Sequence, residues 1–146
     1  MKKYSVLIII GGILVILVGV AILYLRPRQV FRRMFGCSLP ESAIILDYNY
    51  QFLDDSLDCK ISFNEADYSA IESGVTKYYE KYGLVEVSDE ESLPYFNATC
   101  SWWDMNRDDV VLAYQAMMSG KRAKTKLSYS FIVRNSDGQY YLYIAS

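Results

Sequence analysis

From Val6 to Leu25 the chain is apolar without a break, VLIIIGGILVILVGVAILYL; beyond it, apolar and polar positions alternate in short runs. The run holds no charge, no side-chain amide and no proline. As a helix, a segment of this length spans about 30 Å, the thickness of a bilayer's hydrocarbon core. Lys2 and Lys3 precede it, Arg26, Arg28, Arg32 and Arg33 follow, and Tyr4 and Tyr24 sit at headgroup level. Pro27 lies where a membrane helix stops or bends. The pattern predicts a basic tail over 1–5, an uncleaved transmembrane helix over 6–25 and a basic juxtamembrane linker over 26–42.

Other readings of the run fit less well. A cleaved signal has a core of about 7–15 residues followed by small residues, whereas here the core is longer and Arg-Pro-Arg follows. Gly36-Cys37 resembles the end of a lipobox, yet Met34 and Phe35 are bulky and four arginines intervene. A buried core helix is disfavoured, because so small a domain rarely encloses a helix apolar on all sides. Gly11, Gly12 and Gly19 do not make a GxxxG dimer face.

Residues 43–146 predict one α+β domain. Leu46, Tyr48, Tyr50 and Phe52 alternate with Asp47, Asn49 and Gln51, the pattern of a half-buried strand. After Asp54-Asp55-Ser56, a second strand points Cys59, Ile61 and Phe63 inward. A helix follows from Asn64, with Tyr68, Ile71, Val75, Tyr78 and Tyr82 as its apolar stripe and Gly83 at its end. Val85 and Val87 suggest a short strand, and Phe96, Ala98, Cys100 and Trp102 a clearer one. A second helix is expected from Asp104 or Asn106, carrying Val110, Val111, Tyr114, Met117 and Met118 and ending at Gly120. Two strands, Thr125–Arg134 and Gln139–Ala145, close the chain around Asn135-Ser136-Asp137-Gly138, a strong hairpin signal. The order β-β-α-(β)-β-α-β-β implies a mostly antiparallel sheet of about five strands with two helices on one face.

Charge divides the chain at the same border. The first 33 residues carry six basic side chains and no acidic one, while all 17 acidic residues lie from Glu41 onward against nine basic ones. An acidic domain is repelled by phosphate backbones, so no nucleic-acid partner is expected. The basic flanks of the run nearly balance, which leaves orientation open. The short Lys-Lys head and the length of the downstream domain favour placement outside the membrane; the arginine collar favours the cytoplasm.

The chain has no histidine. Histidine-based nucleophilic sites, general bases and metal ligands are thereby excluded. Three cysteines cannot form a Cys₄ zinc site, and no phosphate loop, nucleophile elbow or EF-hand loop is present. No cofactor or metal is expected. Asp104, Asp108 and Asp109 cluster, but carboxylates at a helix start are ordinary capping. Cys59 and Cys100 fall on predicted inward faces and make a candidate disulfide, against the simpler reading of buried thiols. Cys37 is then left over. Asn97-Ala98-Thr99 matches a glycosylation sequon but lies inside a predicted strand.

Tyrosine is abundant, at 14 residues. Trp103, Tyr79, Tyr95 and Tyr140 are expected at the surface, where tyrosine and tryptophan favour interfaces. The competing reading makes the tryptophan a packing residue between helix and sheet. Together these features predict a membrane-anchored, non-enzymatic domain that binds a protein, glycan or other cell-envelope component outside the membrane. A cytoplasm-facing accessory subunit of a membrane complex is the alternative, and a carboxylate-dependent enzyme a more distant one.

Overall fold

The computed structural model describes residues 2–52, 56–82, 85–86, 104–119 and 125–145. Helix α1 (Lys2–Tyr24) is followed by α2 (Pro27–Phe35). Every residue from 9 to 26 is exposed, Val15 at 72%. Among the described residues no single helix is long and apolar enough to cross a membrane alone. The pair Ile9–Tyr24 and Pro27–Phe35, bent by 64°, has the length and composition of a broken span, as a signal sequence also would. The expected straight span over 6–25 therefore stands only in this coarser form.

The segment 26–42, expected as a juxtamembrane linker, contains a helix. Its first half is helix α2, which begins with Pro27 in the first turn and ends at Gly36, whose φ of 71° gives the left-handed cap. The Gly36 N–H donates to the Arg32 carbonyl at 2.9 Å. Val30, Phe31 and Phe35 recur at helical spacing and are buried with the domain's main core. Phe35 meets Tyr78 at 4.4 Å between ring centroids. The apolar face of α2 thus packs on the core of the α+β domain.

The sheet has five long strands and a two-residue one: β1 (Ile44–Gln51), β2 (Ser56–Phe63), β3 (Val85–Glu86), β4 (Val110–Ser119), β5 (Thr125–Arg134) and β6 (Tyr140–Ala145). Their order is β1-β2-β6-β5-β4-β3, and every pairing is antiparallel. One face carries α2 and α3 (Tyr68–Glu80), which follows a 3₁₀ turn at Glu65–Asp67. Leu57, Cys59, Ile61 and Phe63 of β2 point into this core with Ile132, Leu142 and Ile144. The opposite face holds a second cluster built on Ala113, Tyr129, Phe131, Val133 and Tyr143.

Two strands carry bulges that shift their faces. In β1 the register slips between Ile45 and Asp47, so Ile45, Tyr48 and Tyr50 pack on the core. Leu46, expected inward, is 46% exposed, and Phe52 is exposed as well. An extra residue reverses the side-chain alternation, as a bulge must.

The expected second helix is wrong: its residues form β4. Leu, Ala and Met are good helix formers, and Val110, Val111, Tyr114, Met117 and Met118 also fit helical spacing. Pairing with β5 over most of its length overrides that preference. A slip between Val110 and Leu112 blurs the strand alternation in the sequence. Only a 3₁₀ turn at Arg107–Asp109 remains of the helix start. The predicted strand over 96–102 and Asp54-Asp55 of the predicted turn lie outside the described residues, and Ser56 opens β2. The final hairpin agrees with its signal: Gly138 has φ 82° and its N–H donates to the Asn135 carbonyl at 2.9 Å.

Gly74 is the contact point between α3 and the end of α2. A Cβ there would collide with the Cys37 side chain. Gly74→Ala gains roughly 1 kcal/mol of helix propensity, but overpacking costs about 1–3 kcal/mol. Urea denaturation should show a net loss of about 1 kcal/mol, with Cys37→Ala in the same chain restoring stability. A Gly74→Ala single variant more stable than the parent would contradict this packing.

Candidate functional site

The feature with most chemical character is the elbow between α1 and α2. Only Leu25 and Arg26 separate the helices, so the last carbonyls of α1 lie beside the second turn of α2. Arg33 serves them: its Nη1 donates to the Tyr24 carbonyl at 3.4 Å, and its guanidinium sits 4.0 Å from the Tyr24 ring centroid. The other arm of the fork donates to the Tyr50 hydroxyl on β1 at 2.8 Å. The Tyr48 hydroxyl donates to the Leu25 carbonyl at 3.4 Å. A cation at a helix C-terminus is favoured by the dipole, and the orphan carbonyls gain donors. The apolar helix is thus fastened to the edge strand of the sheet.

Arg28 does the same for the segment after α2. Its two terminal nitrogens donate to the carbonyls of Leu39, Pro40, Glu41 and Ala43, between 2.5 and 3.3 Å. Ser42 then donates to the Asp67 carboxylate at the start of α3. Arg32 is exposed and has no polar partner among the described residues. Between the helices lies a cavity of about 610 Å³ lined by Val20, Leu23, Tyr24, Gln29, Arg32 and Arg33. One wall is apolar and belongs to α1; the other is basic and belongs to α2.

A second polar group lies on the sheet face away from α3. Lys60 on β2 stands opposite Tyr143 on β6 in the ladder. Lys60 Nζ lies 2.6 Å from Asp104 Oδ1, and the Tyr143 hydroxyl donates to the same oxygen at 2.7 Å. Partial burial pushes the Asp104 carboxyl up, but the hydrogen bonds from Lys60 and Tyr143, with the lysine charge, outweigh it and hold the group below its ordinary range. Burial and the adjacent carboxylate push the Tyr143 hydroxyl up. A general acid needs the opposite shift in its carboxyl, so Asp104 is arranged as an ion-pair acceptor. Among the described residues no three His, Cys, Asp or Glu side chains converge to hold a metal ion.

A carboxyl lowered on folding adds stability above its unfolded value and loses it as pH falls through the folded value. Asp104 is 61% exposed, so Asp104→Asn should cost only about 0.2–1 kcal/mol near neutral pH. That difference should close below about pH 4 as the parent carboxylate takes up its proton. Urea denaturation of both proteins across the acid range checks it; a gap that widens in acid would contradict the geometry.

Of the residues proposed from sequence, Tyr79, Tyr140 and Cys59 fall among the described residues. Tyr79 and Tyr140, expected at the surface, are 0% and 7% exposed and belong to the core. Tyr79 lies one helical position from the predicted stripe: the buried set on α3 is Ile71, Gly74, Val75, Tyr78 and Tyr79. Trp103, Tyr95 and Cys100 lie outside the described residues, as does any Cys59–Cys100 pairing. Cys59 itself is buried, has no disulfide partner among the described residues, and burial pushes its thiol pKa up. The elbow residues Arg28, Arg33 and Tyr50 escaped the sequence reading. The signal was present in Pro27, Val30, Phe31, Met34, Phe35 and Gly36, a proline start, an apolar stripe and a glycine stop. The chain matches no protein-family model, no curated protein and no solved structure.

Proposed function

We propose that this chain is a membrane-anchored, non-enzymatic binding module. Helix α1 enters the bilayer, the elbow lies at the headgroup level, and the acidic α+β domain is held outside the membrane to bind a protein or cell-envelope component. The observation that carries this reading is the all-round exposure of α1 from Ile9 to Tyr24. Isoleucine, leucine and valine side chains from Ile9 to Leu23 are all more than half exposed, far beyond the apolar patch a water-soluble protein normally shows. Lipid is the solvent such a surface fits.

A cytoplasm-facing accessory subunit is the second reading, supported by Arg26 and Arg32, both exposed and without a carboxylate partner among the described residues at the domain end of α1. Membrane extraction with carbonate followed by protease treatment of intact cells separates the two. The proposal expects an extraction-resistant chain whose domain is digested from outside. A resistant chain with a fully protected domain supports the accessory subunit instead, and a chain released by carbonate ends both. Affinity capture from detergent-solubilised membranes then identifies the partner.

A further inference from the structure

We propose that the elbow between α1 and α2 is a binding site for one anionic phospholipid. The inference rests on the membrane-anchor reading above and assigns a ligand to its rim. The cavity joins two surfaces that suit the two halves of such a lipid. Val20 and Leu23 of α1 are exposed and apolar, and offer a surface for the start of an acyl chain. Arg32 and Gln29 of α2 stand opposite and offer nitrogen donors to a phosphate.

The two arginines have different tasks. Arg33 is held by the Tyr24 carbonyl, the Tyr24 ring and the Tyr50 hydroxyl, so its charge is fixed in place but not neutralised. Arg32 has no polar partner among the described residues and is exposed. One immobilised cation and one exposed guanidinium without a protein partner among the described residues therefore face the same groove, with no carboxylate among its described lining residues. A planar guanidinium fork matches phosphate oxygens in pairs. The site is an open groove of about 610 Å³, wide enough for a glycerophosphate headgroup, and the fatty chains would continue along α1. Zwitterionic lipid brings its own cation beside the phosphate and is the poorer match. The occupant is a lipid because the apolar wall is continuous with the exposed length of α1; a soluble phosphate ester would leave that wall bare.

The test uses the full chain in vesicles of equal parts phosphatidylglycerol and phosphatidylcholine, with native mass spectrometry of the lipids retained after gentle extraction. The parent protein should retain phosphatidylglycerol about fivefold over phosphatidylcholine, the preference expected of one arginine at an anionic surface. Arg32→Gln should bring the two lipids near parity, and Lys77→Gln, on α3 and outside the elbow, should leave the preference intact. Equal retention by the parent overturns the proposal. So does an equal effect of the two substitutions, which would mean diffuse attraction by the whole basic surface. Excess glycerol phosphate should not displace the lipid; displacement would assign the site to soluble phosphate esters instead. Carbonate extraction from pure phosphatidylcholine vesicles is run alongside. Release there overturns the anchor reading and this one with it, whereas retention without lipid preference overturns this one alone.

Discussion

Leu14→Lys with Leu17→Lys is expected to move the full chain from the membrane fraction to the soluble one. Both residues lie near the middle of α1 and are about 60% exposed, at 60% and 59%. Each lysine at a bilayer centre costs about 2.5–3.5 kcal/mol on insertion scales, so the pair opposes entry by about 5–7 kcal/mol before snorkelling relieves part of it. Every factor of ten in partition is about 1.4 kcal/mol, so the shift should exceed a hundredfold. Ile44→Lys with Phe52→Lys is the control, since these apolar residues are equally exposed but lie on the domain. That variant should stay in the membrane fraction. Carbonate extraction and immunoblotting of both variants read the result. A double-lysine α1 that resists extraction as the parent does would mean that something other than α1 holds the chain to the membrane.

The largest effect on folding is expected from Tyr79. Its ring is fully buried under α3, 5.5 Å from the Tyr114 ring in a stacked arrangement. Its hydroxyl meets the Ser128 and Ser130 hydroxyls of β5 at 3.0 and 2.9 Å, and both serines are 0% exposed. Small residues on β5 let the phenol reach the sheet. Tyr79→Ala should cost about 3–5 kcal/mol, the range for truncating a buried aromatic, and Tyr79→Phe about 1–3 kcal/mol for leaving buried hydroxyls short of a partner. Against a typical domain stability of about 5–15 kcal/mol, the alanine variant is marginal.

Tyr79 also gives the phenylalanine variant an alkaline signature. Burial raises the phenol to about 12, with the two serine hydrogen bonds opposing the shift in part. A group raised on folding contributes stability that is whole below its unfolded pKa, near 10, and is lost as pH climbs towards 12. Urea denaturation should show this alkaline component in the parent and its loss in Tyr79→Phe. Equal alkaline profiles in the two proteins would assign the loss to other tyrosines.

The sequence was most legible where one physical rule acted alone. The hairpin from β5 to β6 was readable because Asp-Gly before aromatic alternation has few other solutions. In β2, Cys59, Ile61 and Phe63 alternate without interruption, and all are buried. It was misleading where two rules met. Val110–Ser119 has the residues of a helix and the partners of a strand, and pairing that joins distant parts of the chain is invisible to a local window. The β1 bulge hid the exposure of Leu46 for a related reason: one inserted residue preserves composition while inverting the face.

The candidate site was less legible than the fold. Four arginines after an apolar run read as a generic charge collar. Their separate roles depend on what folds back towards them. Arg28 is committed to four carbonyls and Arg33 to a helix end and a strand; of the two that remain, Arg26 and Arg32, Arg32 is the one that lines the elbow. Nothing in the local order of Arg28-Gln29-Val30-Phe31-Arg32-Arg33 distinguishes them. Tyr79 shows the converse problem on α3. Both Tyr78 and Tyr79 follow Val75 at helical spacing, so neighbouring tyrosines could each claim the core, and both are in it.

The short connection from α1 to α2 has a mechanical consequence. A domain on a long flexible stalk searches a wide volume above its membrane, at every height and tilt. Here Arg33 and Tyr48 brace the last turn of α1 against the neighbouring helix and the sheet's edge strand. The chain is thus built as a bracket: rotation of α1 about its own axis turns the sheet with it. On the membrane-anchor proposal, a partner would meet the sheet at one height and in a narrow range of headings. Capture would then depend on lateral diffusion in two dimensions more than on reach, and lengthening the elbow by a few flexible residues would change which partners the domain can touch without altering a single residue of its surface.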